Sequence, residues 1–367
     1  MGRVKGKNLR AFKIIIFTIV LTVICTCSVV SAANLRVSSA TEGDYISIQA
    51  AIDAAKAGDT IFVSPGMYVE NLKIDREISI WSYSRNPENT VIRAADPKES
   101  TVEIRVDRVS FSGFGIEGSE KAGISLIGVK SCYINNNRAQ GAEYGIFLNG
   151  SENNTISNNI ITLNKKGIRL ESSDSNTMED NIVAYNYGQG ISLEESSRNI
   201  VFNNYFKNAE NVEEKVVNPE NIWQSPLVTR QNIVRGPYIA GNFWADPEGK
   251  GYSETCADEN SNGVCDSSYN ITGGGIDKSP LFPKVPTAIK TLESKLNTSA
   301  YEQDLEGKEN ATSVETMGRN QTEGTTKQAG ENATNVDTST SGKEAPGPGL
   351  GIAVTAVGTA YFLKRKR

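Results

Sequence analysis

The sequence contains no histidine. That absence removes the commonest general base, the commonest transition-metal ligand and the usual titrating switch near neutral pH. Serine–histidine triads and histidine zinc sites are therefore excluded by composition. Aromatic residues are scarce, at 7% of 367 residues. The net charge is only −5 and no basic stripe stands out in the body, so nucleic acid is not an expected partner. Cysteine is rare as well. Of five in all, Cys25 and Cys27 sit inside an N-terminal apolar run, which leaves Cys132, Cys256 and Cys265 for the body.

What the chain does have is glycine, 33 residues of it, and a repeat. Gly-Ile-x-Leu begins at Gly123, Gly145, Gly167 and Gly190, at spacings of 22, 22 and 23 residues. Asn137, Asn159, Asn181 and Asn204 keep the same rhythm, as do Asn154, Asn176 and Asn199. Within each unit the apolar residues alternate over short stretches, with no 3.6-residue period, between Asn, Gly and Ser. That is the pattern of short strands and sharp turns. A leucine-rich horseshoe shares the unit length but asks for leucine at more positions. The repeat predicts an all-β fold, a right-handed single-stranded parallel β-helix of about nine 22-residue rungs, each paired with the next at about 4.8 Å. Ile124, Leu126, Ile146, Leu148, Ile168, Leu170, Ile191 and Leu193 then point inward and stack. Asparagines at equivalent turns form amide ladders and tolerate the left-handed backbone of such corners. Upstream, the pattern predicts a short capping helix over about Ile48 to Lys56, ended by Gly58. Strands follow at Thr60–Val63, Tyr68–Ile74 and Ile78–Ser82. A helix over the first rung would close the open end of the core.

The two ends read as targeting segments. Lys5, Lys7, Arg10 and Lys13 precede an apolar run from Ile14 to Val30, and small residues follow at Ser31-Ala32-Ala33. Residues 1–33 are expected to be a secretory signal peptide, with an uncleaved anchor as the alternative. From 284 to 345 the chain is rich in Thr, Ser, Asn, Glu and Lys, and it is expected to be a disordered stalk. Glycosylation sequons stand there at Asn297, Asn310, Asn320 and Asn332, and in the body at Asn149, Asn153 and Asn270. Residues 346–367 combine a Pro/Gly break, an apolar run from Leu350 to Leu363 and four basic residues. As a helix that run is about 21 Å long, short of the hydrocarbon core. This tail resembles the PGF-type sorting signal of archaeal surface proteins, with Pro348-Gly349-Leu350 in place of Pro-Gly-Phe. The resemblance implies removal of the tail and lipid anchoring; a plain membrane helix is the alternative. In either case the expected location is extracellular, at the cell surface, tethered to the membrane.

"IQAAIDAAKAGDTIFVSPGMYVENLKI", followed by Gly-Ile-x-Leu and Asn-Asn rungs, resembles the pectin-lyase-like β-helix superfamily and, within it, NosD-type repeat proteins of archaeal surfaces. The likeness runs from about Asp44 to Pro280. Body and cap divide at 245/246, giving a β-helix over 34–245 and a C-terminal cap over 246–283. The superfamily resemblance implies polysaccharide chemistry, yet its hydrolase signatures, Asn-Thr-Asp and Gly-His-Gly, are missing. The Gly-x-x-Asp-Phe strand of its esterases is missing too. A lyase would need Ca²⁺-binding carboxylates beside a basic residue, for which Arg169, Glu171 and Glu194 are the weak candidates. The expectation is a protein without catalysis that interacts with envelope or extracellular glycans or serves envelope structure, with Tyr144, Phe147 and Arg169 as carbohydrate-contacting residues. A calcium-dependent polysaccharide lyase is the alternative.

Two metals come into question. Copper is attached to the family name, but it asks for thiolate, thioether or imidazole, and the sequence offers few, widely separated donors. No copper is expected. Calcium has a better motif: Asp258, Asn260, Asn262 and Asp266 at positions 1, 3, 5 and 9 of a loop, Gly263 at 6 and the Val264 carbonyl at 7. Position 12 is Tyr269, where an EF-hand has glutamate. The loop is either a structural Ca²⁺ site or an Asn/Asp turn clipped by a disulfide between Cys256 and Cys265.

Overall fold

The computed structural model describes residues 32–40, 43–215, 220–283, 286–294, 296 and 303. Residues 1–31 of the expected signal peptide, the sequons at Asn297, Asn310, Asn320 and Asn332, and the tail at 346–367 lie outside the described residues. The chain winds as a right-handed parallel β-helix built from three sheets. Sheet 1 starts with Asn34–Val37 and has eight strands; sheet 2 starts with Gly66–Val69 and has eight; sheet 3 starts with Leu72–Ile74 and has seven. Each turn visits sheets 1, 2 and 3 in that order, which gives about eight turns, slightly fewer than the nine the repeat length suggests.

Register is set by like residues standing on like. In sheet 3, Ile124, Ile146, Ile168 and Ile191 form one column and Leu126, Leu148, Leu170 and Leu193 the next. All eight are buried. Each such side chain contributes about 1.5–3 kcal/mol by leaving water. Sheet 1 supplies the column Ile61, Ile80, Phe111, Ile134, Ile156, Met178 and Val201. Sheet 2 supplies Tyr68, Ile92, Ile116, Ala139, Ile161, Val183, Phe206 and Trp244.

The glycine that opens each Gly-Ile-x-Leu has a steric cause. A Cβ on Gly145 would stand 2.5 Å from Ile161 Cγ2 and 2.8 Å from the Gly167 carbonyl; on Gly167 it would stand 2.4 Å from the Gly190 carbonyl. None of these glycines has a left-handed φ. Their role is space, not backbone freedom.

The asparagine ladders are continuous. Each Nδ2 donates to the next Oδ1 along Asn137, Asn159, Asn181, Asn204 and Asn242, at 3.0–3.2 Å. A second ladder runs Asn154, Asn176, Asn199, Asn221 and a third Asn164, Asn186, Asn208, Asn211. The left-handed positions are not those of the ladder residues. They fall one residue earlier, at Asn136, Asn158, Asp180 and Asn203 in the first ladder, and even at Leu163 and Tyr185 in the third. An L-residue there costs about 1–2 kcal/mol. The buried amide bonds of the following asparagine offset that cost.

At the N-terminal end, helix α1 (Ile48–Ala54) buries Ile48, Ala51 and Ile52 against the first turn. Ser47 caps it, and Glu70 accepts from the Ile48 and Gln49 N–H groups. It ends at Ala54 with extended Ala55, earlier than Lys56; Gly58, at φ 89°, instead turns the chain into Thr60–Val63. The stretch Tyr68–Ile74, expected as one strand, is two, Gly66–Val69 and Leu72–Ile74. The chain turns a corner at Glu70-Asn71, where Asn71 Nδ2 donates to the carbonyls of Asp96 and Ser100.

At the other end, Phe206 stacks on Trp244 at 4.9 Å, and Trp244 meets Trp223 and Tyr269 at 6.0 and 4.9 Å. This aromatic plug closes the last turn. Beside it Asp277 is fully buried and accepts from Asn242 N–H, Ser279 N–H and the Trp244 indole. Burial pushes its carboxyl up from 3.8 to about 6, against those hydrogen bonds. A folded value above the unfolded one means that this group favours folding fully below about pH 4 and loses that contribution as pH rises through 6. The stability difference between wild type and Asp277→Asn, followed by thermal unfolding from pH 3.5 to 8, is expected to change below about pH 6 and to stay flat above it.

The segment expected to open the disordered stalk begins instead with helix α3 (Pro286–Glu293), the short helix α2 (Tyr252–Thr255) preceding it in the cap. Glu293 pairs with Lys207 at 2.5 Å, and Leu296 is buried in a cluster with Tyr205 and Phe243 of sheet 2. Among the described residues no helix is long and apolar enough to cross a membrane.

Candidate functional site

The outer face of sheet 3 carries the residues singled out for carbohydrate contact and for catalysis. One outward row reads Lys73, Glu103, Ser125, Phe147, Arg169, Ser192, Glu213. The next reads Asn149, Glu171, Glu194, Lys215. Strand alternation alone puts these side chains outside while Ile168 and Leu170 face inward. Parallel pairing without slippage then brings Phe147 beside Arg169.

Tyr144 and Phe147 lie with ring centroids 5.1 Å apart, and the Arg169 guanidinium sits 5.8 Å from the Tyr144 ring centre. Arg169 donates to Glu194 at 2.5 Å, to Glu171 at 3.3 Å and to Ser192 at 3.3 Å. Next to it Lys166 and Lys215 both bond Glu213, at 2.8 and 2.7 Å. Those two hydrogen bonds bring the Glu213 carboxyl down to about 2, and the Arg169 hydrogen bond holds Glu194 below its usual range. The structure thus joins Tyr144, Phe147, Arg169, Glu171 and Glu194 in one cluster. Their cationic partners hold Glu194 and Glu213 low, so neither is poised to take up a proton.

The loop in the C-terminal cap is built differently. Asp258 accepts from the Asn262 and Gly263 N–H groups, Asn260 Oδ1 from Asn262 N–H, and Asn262 Oδ1 from Val264 N–H. Asp266 accepts from Glu259 N–H. Cys256 and Cys265 are joined in a disulfide. Glu254 turns to the Gly251 N–H and Asp277 to the Trp244 side, so their bonded oxygens serve other contacts. Among the described residues no three Cys, Asp or Glu side chains form a metal-sized group.

Copper donors are fewer still. Cys132 is buried, and burial pushes its thiol up to about 11. The other two body thiols are oxidised, Met178 lies in the core and Met67 is on the surface. These residues do not fit a copper ion, which needs converging soft ligands or imidazole.

The sequons at Asn149, Asn153 and Asn270 are exposed. Asn149 stands two residues after Phe147 on the same outward face. Two hollows of the surface lie elsewhere, along sheet 1 and its corner with sheet 2. One of about 500 Å³ is lined by Trp81, Tyr133 and Asn135, and one of about 420 Å³ by Glu88 and Arg138. The sequence reading passed over Trp81 and Tyr133. The available signal was that both occupy outward positions of sheet-1 strands, with Ser112 on the rung after Trp81 and Ser110 and Thr155 on the rungs beside Tyr133.

Over 132 residues the chain is 33% identical to a "Cell surface glycoprotein" of Methanothermus fervidus. That match covers 35% of this chain and 21% of the relative, so the chain spans about a fifth of the relative's length. Among solved structures, an alginate lyase from Paenibacillus sp. aligns with TM-score 0.40 at 19% identity, covering 49% of this chain and 68% of the lyase. A pectate lyase aligns with TM-score 0.43 at 15% identity, covering 51% and 56%. Residues 52–249, more than half of the chain, match the family described as "Periplasmic copper-binding protein (NosD)". This chain is a member of the NosD family of parallel β-helix proteins.

Proposed function

We propose that this protein is a surface-tethered β-helix that engages carbohydrate in the cell envelope and does not cleave it. The carrying observation is the Tyr144–Phe147 ring pair beside an arginine whose charge is already met by Glu194 and Glu171. A sugar ring can lie on the aromatic surface while the guanidinium edge reaches its hydroxyls. With both glutamates bonded to Arg169, no free base stands next to it, which weighs against the lyase alternative. Placement at the surface is supported by the likeness to an archaeal cell surface glycoprotein and by the targeting features at both ends. The membrane is proposed as a partner through the C-terminal tail.

The test is a screen of the purified protein against envelope and plant polysaccharides, scoring retention and chain shortening separately. Retention is expected, and Phe147→Ala should weaken it roughly tenfold, the effect of losing one stacking partner. Shortening of the polymer would instead support the lyase.

A structural Ca²⁺ in the Asp258–Asp266 loop belongs to the same proposal, resting on the oxygen spacing of Asp258, Asn260, Asn262, Val264 and Asp266. Calcium at a hundred times its Kd would raise stability by about 2.7 kcal/mol, and EDTA would remove the gain. Absence of both binding heat and a melting shift rejects the ion.

A further inference from the structure

We propose that sheet 1 carries a second ligand site, a slot between Trp81 and Tyr133 that takes one ring of an extended, neutral hexose oligosaccharide. It is separate from the sheet-3 cluster and does not rest on the reading given for that cluster. The outward row on this face reads Phe62, Trp81, Ser112, Asn135, Ser157, Glu179. Beside it runs Ser79, Ser110, Tyr133, Thr155, Thr177. Trp81 and Tyr133 therefore project from rungs on either side of the rung that carries Ser110 and Ser112. Their strands lie about 10 Å apart, twice the rung spacing. Two small side chains thus form a floor between two large walls.

Both walls are held in place. Phe62 packs edge-on against Trp81 at 5.8 Å, and the indole N–H is satisfied by Ser110 Oγ at 3.1 Å. On the far side Ser157 Oγ donates to the Tyr133 hydroxyl at 3.2 Å. Tyr133 nevertheless keeps 43% of its surface exposed. The polar ends of both rings are tied to the protein and their faces are left for contact. The hollow measures about 500 Å³, within the range of small-ligand sites.

The rest of the lining selects the ligand. Asn135, Asn136 and Asn158 supply amides, Ser110 and Ser112 hydroxyls, and Arg85 is the one charged group on the wall. The Asn158 side chain has no protein partner among the described residues. Aromatic faces suit the C–H face of a pyranose, and amides and hydroxyls suit its hydroxyl rim. A rung spacing of about 4.8 Å also approximates the length of one hexose unit, so an extended chain along the axis advances by about one sugar per turn. Sheet 3 differs in kind, because its outward rows are crowded with ion pairs.

The full-length protein should be titrated with linear hexasaccharides of glucose, mannose and galactose, and with hexagalacturonate, by calorimetry and tryptophan fluorescence. Trp223 and Trp244 are buried, which makes the half-buried Trp81 the reporter. A neutral hexasaccharide is expected to bind and to shift the emission. Trp81→Ala and Tyr133→Ala should each weaken binding roughly tenfold. Ser112→Trp, which fills the slot and leaves both walls in place, should abolish it at unchanged melting temperature. Phe147→Ala should leave it intact, so that failure here and failure of the sheet-3 reading are told apart. The proposal is overturned by no neutral binding, by binding of hexagalacturonate alone, or by binding that survives all three slot variants.

Discussion

Replacing Asn159 with alanine is expected to lower stability by about 4 kcal/mol, a large share of the 5–15 kcal/mol typical of a folded domain. The amide makes four bonds, all buried. Its Nδ2 donates to the Ile134 carbonyl and to Asn181 Oδ1, and its Oδ1 accepts from the backbone and side-chain N–H groups of Asn137. Alanine leaves the Ile134 carbonyl and the Asn137 N–H without partners in a space sealed from water, at about 1–3 kcal/mol each. Asn158→Gly, one residue earlier but exposed and left-handed, is expected to stay within about 0.5 kcal/mol of wild type. Equilibrium denaturation of both variants measures the contrast. A loss below about 1 kcal/mol at Asn159 would mean that neighbouring groups replace the lost bonds.

Gly167→Ala should be comparably severe for a different reason. The new methyl would stand 2.4 Å from the Gly190 carbonyl and 2.6 Å from Val183 Cγ1. The carbonyl belongs to the adjacent turn and cannot swing aside as a side chain would. Separating the turns there breaks pairing on both sides, and we expect a loss of about 3 kcal/mol or more. Gly128→Ala is the matched control, since it has φ +63° and nothing within 4 Å of its Cβ. Only the backbone term of about 1 kcal/mol remains there. Equal losses at the two positions would refute the steric account of the motif.

The repeat was readable because the fold places one chemical demand on each position. The inward columns of sheet 3 and the ladders through Asn159 and Asn176 follow directly from 22-residue recurrence. The third ladder, Asn164 to Asn211, was hidden because the rung before it carries Ala142, whose N–H still bonds Asn164 Oδ1. The corner at Glu70-Asn71 was hidden because its bonds reach residues some 20 to 30 positions away. Helix α3 was masked by a polar composition that looks like a linker, although Leu296 and Glu293 are what fasten it.

The outward faces were less legible. Period-two alternation says which residues point out, and so Phe147 and Arg169 could be paired from sequence. It does not say which outward residues consume one another's charge. Arg169 could be placed beside Glu171 and Glu194 from sequence, but only in three dimensions is its charge seen to be met by both. Trp81 and Tyr133 went unnoticed because the slot between them belongs to three turns at once.

One consequence follows from turns that touch only their neighbours. Such a body can be lengthened by whole units: copying residues 145–166 in tandem would insert one more layer, with its glycine, its isoleucine–leucine pair and its amides already in register. The helix axis would then lengthen in steps of about 4.8 Å, with no new fold required.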